Sequence, residues 1–360
     1  MGALNHTAWQ LEATGFAALQ GWANDDHVAA LSAFRLSAKR HMETPYKQRQ
    51  IAFDTNAFVA ACRASLESNI AAKSFFEFWF EPYLIIPKNM PGKVTGYYEP
   101  VIEARLTKGE GFETPLLRRP DDLVELSDAE ANAHNGMRFG RKNGIAIEPY
   151  FNRLEIDGGG LGGRNLEIAY VKDPVDAFFA HVQGCARLQL PTSEMRVTYD
   201  GKSGHEFTGI GGVLIDLGEI PAANISMQSI RDWLKANPAR VTEILHHNQS
   251  YIFFREEPVT NYALGPVAAA KVPVSAGRSI AVDRTIHAFG LTFFVSAPDL
   301  KTLEPNGFHR LMVAQDTGSA ILGAARADLF IGSGDAAGAI AGSINYKAQF
   351  HILLPRRGLI

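Results

Sequence analysis

From Lys93 to the C-terminus, short apolar runs alternate with glycine, proline, asparagine and aspartate, and this punctuation restricts the fold more than any other feature. Runs so brief and so rich in β-branched and aromatic residues suit strands, not packed helices. Val94, Tyr97, Tyr98, Val101 and Ile102 begin the series. Residues 166–171, 196–199, 212–215, 251–254, 279–282, 292–295, 310–314 and 350–354 continue it. One interruption is helical. Ser226 opens a helix carrying Met227, Ile230, Trp233 and Leu234, with Trp233 packing the helix that bears it. Pro238 starts a second helix with Val241, Ile244 and Leu245. Many short strands at irregular spacing favour barrels over a doubly wound sheet.

Before Lys93 the period is helical. Trp9, Phe16, Leu19, Val28, Leu31 and Phe34 recur at spacings near three and four, so residues 9–38 predict helix, divided at an Asp25-Asp26 cap. Residues 54–67 and 74–80 predict two more, after which Pro82, Pro87 and Pro91 break the pattern. The fold class is mainly β with N-terminal helices.

Length and composition bound the rest. A chain of 360 residues suggests two domains, or one with a large insertion, and 46% apolar residues exclude a disordered or collagen-like chain. Two cysteines cannot build a disulfide scaffold or a four-cysteine zinc site. A net charge of −3 gives no basic footprint for nucleic acid. The N-terminal MGALNHTAWQ has no basic stretch followed by an apolar one, and no apolar run reaches the roughly 18 residues of a membrane span, which by itself points to the cytoplasm.

Several motifs are uninformative. Gly158, Gly160 and Gly163 fit G-x-G-x-x-G, but a strand-like segment follows where nucleotide binding needs a helix. Asp316-Thr317-Gly318-Ser319 matches the aspartic-protease signature, but no second such loop exists to share its proton. His246-His247 lacks a metal-site companion, Cys185 lacks a papain-like setting, and Cys62 reads as a small core residue. The N-x-S/T sites at Asn5, Asn224 and Asn248 carry no weight without a eukaryotic secretory context.

The acids near the C-terminus say more. Asp283, Asp316 and Asp328 sit at strand ends within an apolar, glycine-rich stretch. An acid between Ala327 and Leu329-Phe330 is partly desolvated, which raises its pKa, and a neighbouring carboxylate raises it further. A carboxyl protonated near neutrality is what protonation of a glycosidic oxygen requires. The alternative is that these acids only cap turns, and sequence physics divides evenly between the two.

Together the motifs resemble a known family. Residues Ser279 to Asp283, Ala314 to Ile321 and Arg326 to Phe330 look like the three-aspartate "3D" domain. Thr95-Gly96-Tyr97-Tyr98-Glu99-Pro100, Asp173 to Phe179, Val182-Gln183-Gly184, Ser226 to Leu234 and Asn248 to Arg255 resemble the membrane-bound lytic transglycosylase A family, in the family's order. One departure is Gln183-Gly184-Cys185-Ala186, where members commonly have Gln-Gly-Ser-Gly.

The resemblance implies a double-psi β-barrel domain, 1–103 with 245–360, whose 3D segment covers about 275–355. A smaller β-barrel, 104–244, is inserted into it, with a groove between. The family cleaves the β-1,4 bond between N-acetylmuramic acid and N-acetylglucosamine in peptidoglycan and leaves a 1,6-anhydromuramoyl end. Because the sugar's own C6 hydroxyl attacks, one carboxyl can act as acid and then as base, where ordinary glycosidases need two. Asp328 matches that residue. Asp316 and Asp283 support it and hold loops and sugar hydroxyls. Tyr97, Tyr98, Glu99, Gln183 and Gly184 are candidates for substrate contact, with strand packing an equal alternative for each tyrosine. The resemblance implies no metal or cofactor, a monomer, peptidoglycan strands as partner, and a periplasmic or outer-membrane location with a lipid anchor in the full-length protein. MGALNHTAWQ then reads as a start from which an export segment has been removed. A non-catalytic, expansin-like glycan-binding barrel and an aspartic-type hydrolase are the competing readings.

Overall fold

The structure is a computed structural model that describes residues 7–67, 69–134 and 136–358. Asn5 and the first six residues of the N-terminal stretch lie outside them. The chain forms two compact units, one of Met1–Tyr98, Tyr262–Gly332 and Ala336–Ile360, the other of Glu99–Asn261 with Ser333–Asp335.

The first unit is built on a nine-stranded sheet. Its spatial order is Trp9–Ala13, Phe80–Pro87, Gln349–Pro355, Thr292–Ala297, Phe308–Asp316, Ser279–Val282, Arg326–Ser333, Lys93–Glu99 and Asn345–Lys347. Ser279–Val282 runs parallel to Phe308–Asp316 and antiparallel to Arg326–Ser333. The helices His27–Glu43, Thr55–Glu67 and Ala72–Trp79 bury Phe34, Phe58, Phe75 and Phe76, and Phe34 meets Phe58, Phe76 and Phe80 edge to face. Asp26 caps the first helix by accepting from the Ala29 amide at 3.0 Å, as its sequence position predicts. Cys62 is a fully buried core residue whose thiol pKa burial pushes up to about 12.

One N-terminal expectation is corrected, while the helical pattern does end before Pro82, at Trp79. Residues 9–13 form a strand, because Trp9 and Leu11 alternate with Gln10 and pair against Phe80–Pro87, and the helical spacing reached across a turn region. Pro82 and Pro87 lie inside that partner strand. Proline removes only a donor, and the Pro82 carbonyl still accepts from the Thr14 amide at 3.0 Å.

The second unit carries a six-stranded sheet in the order Ile252–Pro258, Glu194–Lys202, Cys185–Gln189, Val101–Arg105, Glu167–Val171 and Thr114–Leu117. A three-stranded sheet, Leu123–Glu125, Phe139–Asn143 and Ala146–Glu148, accompanies it. Residues 212–215, expected as strand, belong to the helix Ile210–Asp216. Ile210 and Leu214, four apart, bury one face of it against Phe178, Phe179, Leu234 and Leu245. Ser226 caps Met227–Ala236 with a capping box, and Trp233 packs against the same cluster. The glycine motif forms an irregular turn over Ile156–Gly160 and leads towards the strand Glu167–Val171, so no helix N-terminus is available for phosphate.

Candidate active site

The site grows from the strand Ser279–Val282. Ala281 pairs with Asp316 on one side and with Asp328 on the other. Residues opposite one another share a face, so both carboxylates lie on the Ala281 face, two strand spacings or roughly 10 Å apart at Cα. Asp316 reaches that face through an irregularity in register. Ile280 pairs with Ala314 and Ala281 with Asp316, leaving Gln315 as an extra residue. Tyr97, Val274, Ile321 and Phe330 pack around Ala281, with the Tyr97 and Phe330 rings 5.2 Å apart.

Asp328 is half-buried. Thr95 donates its hydroxyl to Asp328 Oδ1 at 2.5 Å, and Arg326 Nη2 donates to Thr95 Oγ1 at 2.7 Å. Burial raises the Asp328 pKa above the usual carboxylate range, opposed by the Thr95 hydrogen bond and the Arg326 charge. Asp316 is also half-buried. Burial pushes its pKa up to about 6, assisted by the Asp328 charge and opposed by the amides of Thr317 and Ala269 and by the Tyr97 hydroxyl. The Thr317 amide donates to Asp316 Oδ1 at 2.8 Å and the Ala269 amide at 3.3 Å.

Asp283 has a different character. Burial raises its pKa, but the Thr285 hydroxyl and the amides of Gly323 and Thr285 more than offset this and hold it below the usual range. Those donors lie at 2.6, 2.8 and 2.9 Å. Asp283 thereby ties the turn after its own strand to the loop that follows Asp316, and Thr317 adds a hydrogen bond from its hydroxyl to the Val282 carbonyl at 2.8 Å.

Two family models match the chain: the MltA specific insert domain over residues 93–255 and the 3D domain over residues 278–354. The solved membrane-bound lytic murein transglycosylase from Agrobacterium tumefaciens is 41% identical, with a TM-score of 0.89 over 96% of this chain and 98% of that one. The chain belongs to the MltA family. E. coli MltA solved with bound chitohexaose is 26% identical, with a TM-score of 0.70 over 97% of this chain and 95% of that one. The curated membrane-bound lytic murein transglycosylase A of E. coli K12 is 34% identical over 269 residues, which are 72% of this chain and 64% of that protein. The match therefore spans just under two thirds of that relative.

In this MltA chain the remaining predicted residues divide between the units, Tyr97 and Tyr98 in the first and Glu99, Gln183 and Gly184 in the second. Tyr97 and Tyr98 are buried on the strand Lys93–Glu99, and the Tyr98 ring lies so close to Gly338 that a Cβ there would meet it at 2.7 Å. Glu99 belongs to the second unit and is 0% exposed. Arg196 Nε reaches one of its oxygens at 2.5 Å, and Arg187 and the Ser333 hydroxyl reach the other at 2.8 and 2.6 Å. Gln183 ends the helix Pro174–Gln183, and Gly184 caps it in the left-handed conformation, φ 73°. The sequence does not single out Thr95 and Arg326. Both stand inside family motifs, and only pairing across the sheet brings them into one hydrogen-bonded chain ending on Asp328. The D-T-G-S motif belongs to a loop tied to Val282, and the acid across the sheet from Asp316 is Asp328, not an acid on a second such loop.

Proposed function

We propose that this protein is a peptidoglycan lytic transglycosylase acting on the MurNAc-β-1,4-GlcNAc bond, with Asp328 as its single acid and base. The observation that carries the reading is the setting of Asp328, half-buried, with a raised pKa, and with one oxygen held by Thr95. The other oxygen, Oδ2, carries the proton. It passes to the glycosidic oxygen as the C1–O bond breaks and GlcNAc leaves. The resulting carboxylate then accepts the proton of the C6 hydroxyl as that oxygen bonds to C1 and closes the 1,6-anhydro ring. Acid and base are one group, so it ends the cycle protonated as it began. Holding the nucleophile in the same ring removes the cost of recruiting water.

On this reading Asp316 keeps the Asp328 pKa high, while Asp283 fixes the loop beside it. Tyr97 and Tyr98 shape the floor under the sugar, Glu99 acts through the arginines it holds, and Gln183 offers an amide to an acetamido group at the helix end that Gly184 turns. The unit bearing the aspartates, with a double-psi barrel topology, is the catalytic domain, and the other is the substrate domain. The chitohexaose held by E. coli MltA supports a glycan strand as ligand. Work at the periplasmic face of the outer membrane as a lipid-anchored monomer belongs to the same reading, and the membrane-bound character named for the relatives supports its membrane part. Among the described residues no helix is long and apolar enough to cross a membrane.

The test is release of anhydro-muropeptides from purified sacculi, read by mass spectrometry. Asp328→Ala should abolish release and retain binding. Undiminished release from that variant would sink the assignment, and binding without any release by the unaltered protein would favour the expansin-like reading.

A further inference from the structure

Regular alternation would turn Asp316 away from Asp328. Ile280 and Ala314 face one another towards the main core, so the next pair should be Ala281 with Gln315, and Asp316 should point to the Ile280 side. The extra residue at Gln315 reverses this.

A bulge must be held, and Gln315 is anchored on all sides. The residue is 0% exposed. Its Oε1 accepts the Ser279 hydroxyl. Its Nε2 donates to the Ala33 carbonyl and to Ser37 Oγ, each at 2.9 Å, on the helix His27–Glu43. Its backbone carbonyl accepts from the Ala270 amide at 3.0 Å, and the neighbouring Ala269 amide reaches Asp316 itself. A buried amide with three side-chain hydrogen bonds has one orientation, because each lost bond would leave a buried polar group unpaired.

We propose that Gln315 is a positioning residue: its side chain locks the bulge that turns Asp316 onto the face of Asp328. It touches no substrate and acts through Asp316. The titratable groups facing the pair are Tyr97 and Arg326, besides the two acids themselves. The catalytic consequence rests on the transglycosylase reading, whereas the positioning does not.

The experiment replaces Gln315 with Met, which keeps the volume and removes the amide. On sacculi, Gln315→Met should lower kcat about tenfold with KM unchanged, and should move the alkaline limb of the pH profile to lower pH, the shift also expected of Asp316→Asn. The double variant Gln315→Met/Asp316→Asn should be no slower than Asp316→Asn alone, because both act through one carboxylate. Additive losses, or a folded Gln315→Met with the unaltered kcat and pH profile, would overturn the proposal. If Gln315→Met does not fold, Ser37→Ala removes one anchor and should show the same limb shift in smaller measure, and an unmoved limb counts against the proposal. A readout free of turnover is the titration of the Asp316 carboxyl by 13C NMR. Its pKa should fall towards the ordinary aspartate value in Gln315→Met, and an unchanged titration would refute the positioning even if the protein proved to have no glycan activity.

Discussion

Asp316 and Asp328 are both register partners of Ala281, one from a parallel neighbour and one from an antiparallel neighbour. The smallest chiral side chain thus stands between two carboxylates on one face. They are close enough for the Asp328 charge to raise the Asp316 pKa. This arrangement suits an enzyme in which one acid works and the second adjusts it.

The first prediction concerns pH. On the proposed mechanism turnover requires protonated Asp328, so activity should fall as pH rises through its pKa. Burial pushes the Asp316 pKa up to about 6 and the Asp328 charge adds to it; such coupling is reciprocal, so an ionised Asp316 disfavours the Asp328 anion. Asp316→Asn removes that charge, and the alkaline limb should move to lower pH. Rates on sacculi between pH 4 and 9 measure it. A limb at unchanged pH would separate the two acids energetically.

The same shift has a stability sign. A carboxyl whose folded pKa is raised binds more protons folded than unfolded, so stability falls as pH rises from about 4 to 6. Asp316→Asn should therefore be more stable than the parent at pH 7.5, by about 1–3 kcal/mol given the partial exposure of the group, and indistinguishable from it at pH 3. Calorimetry at the two values checks this.

Thr95→Val removes the donor that favours the Asp328 anion and deprives Arg326 Nη2 of its acceptor, while Nη1 keeps the Ala327 carbonyl. The alkaline limb should move to higher pH, opposite to Asp316→Asn, with kcat near the lower edge of the pH range falling about tenfold from lost orientation. Coincident limbs for Thr95→Val and the parent would show the hydrogen-bonded chain to be inert.

Glu99→Gln leaves Arg187 and Arg196 buried without a counter-charge. A loss of about 3–5 kcal/mol is expected, seen as a lower midpoint in urea with an unchanged slope. A change below about 1 kcal/mol would mean that water already compensates the arginines.

Asp283 carries the opposite sign to Asp316. Its folded pKa is depressed, so its contribution is present above the unfolded aspartate value and lost as pH falls through the folded one. Asp283→Asn should cost about 1–2 kcal/mol at pH 7 and progressively less below pH 4, with faster proteolytic cutting between Thr317 and Gly323 at neutral pH. Equal cutting of parent and variant would remove its role as a loop tie.

Much of the strand content was legible because a strand reports its burial locally. Ser279–Val282 coincides with its predicted range, and Thr292–Ala297, Phe308–Asp316 and Gln349–Pro355 extend theirs by one or two residues at an end. The failures share a cause. Trp9 and Leu11 fit a helical spacing and a strand equally well, and the paired edge of Phe80–Pro87 decided between them. At 212–215 an apolar run short enough for a strand became helix, because Leu214 had Leu234 and Leu245 to pack against.

The sequence by itself determined the family, the three acids and the capped helices, since these depend on residue identity and near-neighbour spacing. Tertiary structure alone decided which acids share a face. It buried Glu99 against Arg187 and Arg196, made Asp283 an anchored anion, and brought Thr95 to Asp328 across 233 positions of chain. It also turned Asp316 by a single extra residue. A carboxyl's pKa is set by what surrounds it in space, and register between strands distant in sequence is fixed by which faces can be buried together.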